Sequence, residues 1–245
     1  MVNPLSIRDS HDEWRQLAEA GGAEAERYAR RCLAGCARAV DRLVINLSAI
    51  GYPSIPGRVP PEINVDEVVA NLESQLQDPL PTILKLFWET VGGISLVDFD
   101  GYRHVDFWDS HDVEGPNGYS DGVVVEAYQP DWVDMVLSEH DALQDDPDVP
   151  ADDTFLICLA PDGYHKDDIS GGAPYGLQVG DGWLAPWLHF RWSGAAIPTS
   201  AQPGSPDLLG YLRTSILECA GFPGLFGVAE FEPFRVRLLD GIEGF

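Results

Sequence analysis

The spacing of apolar residues changes at the glycine pair Gly92–Gly93, and this change limits the fold more than any other feature of the sequence. Before the pair, apolar residues recur every three or four positions, which is typical of one face of a helix. After the pair, they alternate or form short continuous runs, which is typical of strands. Helices followed by strands, without regular alternation of the two, predict an α+β fold rather than a doubly wound one.

Four helices are predicted before the glycine pair. SHDE at Ser10–Glu13 is typical of a capping box and predicts the start of the first helix, which Gly21–Gly22 interrupts. The second helix is long, from about residue 23 to 50, because apolar residues form one continuous stripe along it. This stripe consists of Leu33, Cys36, Val40, Leu43, Leu47 and Ile50. Asp66 begins the third helix, and Gly51 is suited to the end of the second.

The fourth helix begins at Pro81, and its apolar spacing predicts that Phe87 and Trp88 are buried. Between the second and third helices, Tyr52–Pro61 contains four prolines, which predicts a stiff connector rather than a helix or strand. This connector is expected to divide the chain into an N-terminal helical extension, residues 1–51, and a main domain, residues 52–245.

Four segments after the glycine pair predict strands: ISLVDF (94–99), DGVVVEAY (121–128), TFLICLA (154–160) and YGLQVG (175–180). The residues from Asp100 to Ser120 are predicted to form an acidic loop between the first two strands. A helix that begins at Pro130 is expected between the second and third. Ser205–Pro206 predicts the start of a final long helix that Gly221 ends, and the pattern of residues 187–192 is ambiguous.

The charge of the chain is strongly negative, with 40 acidic residues, 15 basic residues and a formal net charge of −25. Seventeen of the acids lie between Asp98 and Asp153, where Arg103 is the one basic residue. Such a surface repels nucleic acid and anionic membranes, so neither is expected as a partner. A basic protein partner, a cation or solubility alone are the remaining explanations of the charge.

The four cysteines are too few and too scattered for a disulfide scaffold, so they are predicted to be small buried residues. The N-terminus lacks a basic start followed by an apolar run, and no apolar stretch reaches the length of a membrane helix. These features predict a soluble protein of a reducing compartment, the cytoplasm.

Each enzymatic signature fails in this sequence. The glycine-rich segments lack the phosphate-loop lysine and the dinucleotide spacing, and neither G-x-S-x-G nor H-E-x-x-H occurs, so no cofactor and no catalytic residue are predicted. His104 and His111 lie among acids, but the EF-hand pattern is missing, and no metal site is predicted. A hydrolase that uses Asp106 and Asp109 remains a third, less favoured hypothesis.

Two aromatic and polar segments leave alternatives open. The residues from Ala160 to Gly176 form either an ordinary return loop or a recognition loop that carries Tyr164, His165, Lys166 and Tyr175. Trp183, Trp187 and Trp192 could line a groove, but at least two of the three are expected in the core.

Three segments in order resemble the SMI1/KNR4 superfamily, also called SUKH. In DPLPTILKLFWETVGGISL (78–96), the matching residues are Leu80, Pro81, Leu84, Phe87, Trp88, Val91, Gly92 and Gly93. In PDGYHKDDISGGAPYG (161–176) and YLRTSILECAGFPG (211–224), they are His165, Lys166, Ser170 to Tyr175, Tyr211 to Arg213 and Gly221 to Gly224. The resemblance implies a mixed, mainly antiparallel sheet with helices packed around it, and the opening segment would then be scaffold rather than a site.

The resemblance also implies a binding role without catalysis. Bacterial members are similar to immunity proteins, which neutralise toxin domains that are often nucleases, and fungal members resemble interaction hubs. The first hypothesis is therefore an immunity protein whose acidic surface binds a basic toxin domain. The second is an interaction scaffold without a toxin partner. The residues expected to contact the partner are Asp106, Asp109, Asp112, Glu114, Tyr164, His165, Lys166 and Tyr175.

Overall fold

A computed structural model describes residues 2–60, 65–98, 103–116, 120, 122–145, 155–160, 175–180, 182–188, 192, 194–201 and 206–245. Its α-helices are α1 (Pro4–Ala20), α2 (Gly22–Ala49), α3 (Val65–Leu76), α4 (Thr82–Thr90), α5 (Arg103–Asp109), α6 (Pro130–Asp145), α7 (Leu208–Arg213) and α8 (Glu232–Leu238). Its strands are β1 (Gly57–Val59), β2 (Gly93–Ser95), β3 (Val124–Val125), β4 (Leu156–Ala160), β5 (Tyr175–Gln178) and β6 (Trp187–Leu188).

The first helix begins six residues before the predicted capping box, so that prediction was wrong. The side chain of Asn3 accepts a hydrogen bond from the Leu5 amide (3.1 Å), and Pro4 occupies the first helical position. Ser10 therefore lies inside α1, where its hydroxyl donates to the Ser6 carbonyl (2.9 Å). The predicted break at Gly21 is confirmed, because Gly21 has a φ of +68° between α1 and α2.

The long second helix is confirmed nearly to the residue, and its predicted apolar stripe is buried as far as Leu47, with Ile50 half-buried. It packs against α1, α4, α8 and β1. Trp14 of α1 and Leu43 of α2 belong to the same hydrophobic cluster as Trp88 and Trp108 from later elements. The core of the described protein is therefore continuous across residue 51, and the domain division at that residue stays a prediction.

The strands form two three-stranded antiparallel sheets, in the orders β1-β2-β3 and β4-β5-β6. The sheets meet where the Glu126 amide donates to the Leu159 carbonyl (2.7 Å). The α+β class and the four predicted strands are confirmed, although the strands are shorter than predicted. The prediction of a connector without secondary structure was wrong, because Gly57–Val59 pairs with Gly93–Ser95 as the edge strand β1.

The junction of α4 and β2 has the predicted role of scaffold. Phe87 and Trp88 are both 0% exposed, and the Trp88 indole donates to the Glu126 carbonyl (3.2 Å). Gly92 has a φ of +87°, and a Cβ added to Gly93 would lie 2.8 Å from Ala127. Glycine is therefore required where the helix reverses into a strand that passes close to its neighbour. Pro81 is the residue before α4 rather than its first residue.

The predicted C-terminal helix is confirmed in position, because helical residues run from Leu208 to Glu218 and Gly221 follows them with a φ of +84°. Its start and its helical form differ from the prediction. The helix cap is Asp207, whose side chain accepts from the Gly210 amide (2.8 Å), while Ser205 lies outside the described residues. After Arg213 the chain continues as a π-helix (Thr214–Glu218), then as a 3₁₀-helix (Pro223–Leu225) and finally as α8. Short π-helical segments are rare and occur frequently at functional sites.

Candidate functional site

The predicted acidic loop is partly a helix, so this prediction was wrong for residues 103–109, which form α5. One side of α5 is buried, with His104 and Trp108 both 0% exposed. Asp106 and Asp109 lie three residues apart on its solvent-exposed side. The many acids make the composition of this segment resemble that of a loop. Its two buried residues, His104 and Trp108, lie four positions apart, which is the spacing of a helix.

The turn after α5 carries the other two predicted acids. Asp112 has a φ of +55°, and the amides of His111 and Val113 both donate to the Trp108 carbonyl (3.0 Å each). Val113 is buried, so the turn is fixed at both ends, while Asp112 and Glu114 are exposed. We call Asp106, Asp109, Asp112 and Glu114 the acidic surface.

An aromatic cluster supports the acidic surface from below. The ring of Trp108 lies 5.1 Å from Phe222, 5.4 Å from Phe231 and 5.5 Å from Tyr52, measured between centroids. Phe234 of α8 also contacts Trp108, at 5.5 Å. Aromatic packing of this kind holds α5 in one position, so the exposed acids lie on a preorganised base.

The four acids of the acidic surface form no ion pair with any described residue. The basic side chain of α5 itself is already paired, because Arg103 Nε contacts Asp98 Oδ2 at 2.7 Å. The structure therefore brings the four predicted acids together on one helix and its following turn, with their charges directed to solvent.

The other four predicted contact residues lie outside what the structure describes. Residues 161–174 include Tyr164, His165 and Lys166, and the structure does not describe the Tyr175 side chain, although Tyr175 begins β5. The alternative between a return loop and a recognition loop stays open.

The tryptophans follow the prediction of a core role. Trp187 is 1% exposed and stacks on Tyr211, with ring centroids 4.2 Å apart. Trp183 and Trp192 are half-buried and pack against the same core. The four cysteines are buried and form no disulfide, as predicted. Within the described residues, no group of three or more His, Cys, Asp or Glu side chains could hold a metal ion.

A polar network around Arg213 was missed by the sequence reasoning. Arg213 is 1% exposed, and its Nε donates to the main-chain oxygen of Phe245 (2.7 Å). Its Nη1 donates to the Ser10 carbonyl (2.8 Å), and its Nη2 donates to the Tyr28 hydroxyl (3.1 Å) and to Cys32 Sγ (3.0 Å). These partners come from α1, α2 and the end of the chain, so no local sequence pattern joins them.

Two titratable groups are buried beside this network. The pKa of His11 is lowered to about 3, first because of burial and then because of the nearby Arg213 and Arg15 charges. Its ring nitrogens form no hydrogen bond with a described residue. Burial raises the pKa of Asp207, whose carboxylate lies 3.6 Å from Arg15 Nε.

Comparison with protein-family models, with curated proteins and with solved structures finds no match. The resemblance to the SMI1/KNR4 superfamily therefore stays a prediction. Within the described residues, no helix combines the length and apolar character that are required to cross a bilayer.

Proposed function

We propose that this protein is a non-enzymatic, protein-binding module that contacts a basic partner through the acidic surface. The observation that carries the proposal is the contrast within α5, whose inner side is fixed in an aromatic cluster while its acids are solvent-exposed and form no ion pair with a described residue. A rigid surface loses little conformational entropy on binding. Its exposed negative charges accelerate the association of a positively charged partner.

The proposed partner is a toxin domain, which makes the protein an immunity protein. Nucleases carry basic surfaces for nucleic acid, and an acidic surface of fixed shape is complementary to such a surface. The proposed location is the cytoplasm, which is consistent with four cysteines that form no disulfide. An interaction scaffold without a toxin partner uses the same surface, and it differs only in what the partner does.

Affinity capture with the immobilised protein tests the binding proposal. The test variant replaces the acidic surface by Asp106→Asn, Asp109→Asn, Asp112→Asn and Glu114→Gln. The matched control makes the same charge change at four other exposed acids, by Asp9→Asn, Glu19→Gln, Asp78→Asn and Asp240→Asn. We expect a basic protein from the source cell that wild type and control capture and the test variant does not. Equal capture by all three proteins would exclude the acidic surface as the interface.

Co-expression then distinguishes an immunity protein from a scaffold. The captured protein is expressed alone and together with this chain, and growth is measured. An immunity protein is expected to restore growth that the partner alone arrests, and the test variant is expected to restore less. A partner that is harmless when expressed alone would support the scaffold and contradict the toxin proposal.

A further inference from the structure

A cavity of about 420 Å³ lies between α1, α2 and the C-terminal residues, and its charge is opposite to that of the protein. Three arginines line it, namely Arg31 and Arg38 from α2 and Arg213 from α7, together with one acidic side chain, Glu13. The sequence contains only 15 basic residues against 40 acidic ones. Three arginines around one cavity therefore form a local positive region in a strongly negative protein.

The deepest of the three arginines is held in a fixed position. Arg213 is 1% exposed and is bonded through Nε, Nη1 and Nη2, as described above. Its guanidinium carbon also lies 5.6 Å from the centroid of the Tyr28 ring. Because its N–H groups are largely used in these bonds, Arg213 contributes a fixed positive charge, which needs no rearrangement to attract an anion.

The two outer arginines are exposed and form no ion pair with a described residue. Arg31 lies over the same Tyr28 ring, with its guanidinium carbon 5.1 Å from the centroid. Arg38 lies seven residues further along α2, on the same side of the helix. Arginine binds carboxylate and phosphate groups through paired hydrogen bonds, and these two side chains have that capacity unused within the described protein.

The remaining walls of the cavity are suited to the apolar part of a ligand that also carries an anionic group. Ile7, Leu217 and Phe245 contribute apolar surface. Gly35 sets the position of the Phe245 wall, because a Cβ added to Gly35 would lie 2.3 Å from Phe245 Cβ. The volume falls within the range of small-molecule sites, about 300–1,000 Å³.

We propose that this cavity binds a small organic anion, whose carboxylate or phosphate group lies among Arg31, Arg38 and Arg213. The proposal is independent of the acidic surface and of any protein partner. Because the whole protein is negative, binding is best measured near physiological salt, where charges more than about 8 Å away are largely screened.

Titration calorimetry with three probes tests the proposal and distinguishes the anionic groups. Phenyl phosphate and benzoate each carry an apolar ring, and inorganic phosphate carries none. We expect saturable binding of one molecule of phenyl phosphate or benzoate, whichever group the site prefers, and weaker binding of inorganic phosphate. The absence of saturable binding by all three probes at millimolar concentration would overturn the proposal.

Paired variants locate the binding. Arg31→Ala combined with Arg38→Ala is expected to weaken binding about tenfold or more, because two charge-assisted contacts are lost. The control, Arg8→Ala combined with Arg27→Ala, removes two exposed arginines of α1 and α2 that do not line the cavity. It is expected to bind as wild type. All four positions are exposed, so both variants are expected to keep the wild-type unfolding midpoint. Equal affinity of the two variants would overturn the proposal.

Discussion

The acidic surface and the arginine-lined cavity present charge in opposite ways. The four acids of the acidic surface are all exposed, and none forms an ion pair with a described residue. In the cavity, Arg213 is 1% exposed and donates hydrogen bonds to groups from three other parts of the chain. The charge of Arg213 is therefore tied to the stability of the fold through its hydrogen bonds, whereas substitution of the exposed acids is expected to leave the protein folded.

The two regions also differ in how they are supported. Neutral aromatic packing around Trp108 supports the acidic surface. Around Arg213, by contrast, the support is itself polar and includes the hydroxyl of Tyr28. The substitutions below test whether buried groups contribute more to stability than exposed charges do.

Substitution of a buried apolar residue is expected to have the largest effect on the free energy of unfolding. Phe87→Ala removes a 0%-exposed side chain from the α4 core and is expected to lower the free energy of unfolding by about 3–5 kcal/mol. Urea unfolding measures the change, and Ile45→Ala, at a site that is 57% exposed, is the control with little expected effect. A wild-type midpoint for Phe87→Ala would show that α4 is not the scaffold we describe.

The buried charge is expected to have the next largest effect. Arg213→Met removes the hydrogen bonds that Arg213 donates to the Phe245 main-chain oxygen and to the Tyr28 hydroxyl, and it is expected to cost about 2–3 kcal/mol. Arg27→Met makes the same change at an exposed site of α2 and is expected to cost little. Equal unfolding midpoints for these two variants would remove the distinction between buried and solvated charge.

The buried side chain of His11 is expected to make the stability of the protein depend on pH. The pKa of His11 is about 3 in the folded protein, against an ordinary value of 6.5. Between these two pH values, His11 is therefore protonated in the unfolded chain and neutral in the folded protein. Stability therefore decreases as the pH falls below about 6.5, by about 1.4 kcal/mol per unit. From pH 6.5 to 5, the wild type is expected to lose about 2 kcal/mol more than His11→Leu.

The charged groups near residue 11 contribute to the pH dependence of stability in both the wild type and His11→Leu. The raised pKa of Asp207 favours the folded state as the pH falls, and the charges of Arg15 and Arg213 remain in the variant. The comparison of the two urea midpoints across pH therefore isolates His11. Parallel curves for wild type and His11→Leu would contradict the burial of a neutral His11.

The sequence predicted helices correctly where the spacing of neighbouring apolar residues determines them. The apolar residues of α4 recur at helical spacing, and Phe87 and Trp88 are buried as predicted. The helix start that was predicted from the capping box was wrong, because the first thirteen residues contain two possible helix starts. Asn3–Pro4 supplies both a side-chain cap and a proline at the first position, so the helix begins there and includes Ser10.

The sites depended on contacts that no local pattern contains. Arg213 bonds to residues 203 and 185 positions away in the sequence, so its network exists only after folding. The four acids are exposed as predicted from composition, and their role in binding stays a prediction, but α5 was missed because it contains only seven residues. Its helical form depends on the burial of Trp108 among aromatic residues from distant segments, which is a tertiary effect.

The most direct test of the account is the association rate of the captured partner, measured by stopped-flow mixing over a range of salt concentrations. Steering by exposed acids fades as salt shortens the screening length, which is about 10 Å at 0.1 M. We expect the wild-type rate to fall about tenfold or more from low to high salt. The fourfold variant of the acidic surface is expected to associate slowly at every salt concentration, with an unchanged unfolding midpoint. A wild-type rate that is independent of salt, or equal to that of the variant, would contradict the claim that the acidic surface binds the partner.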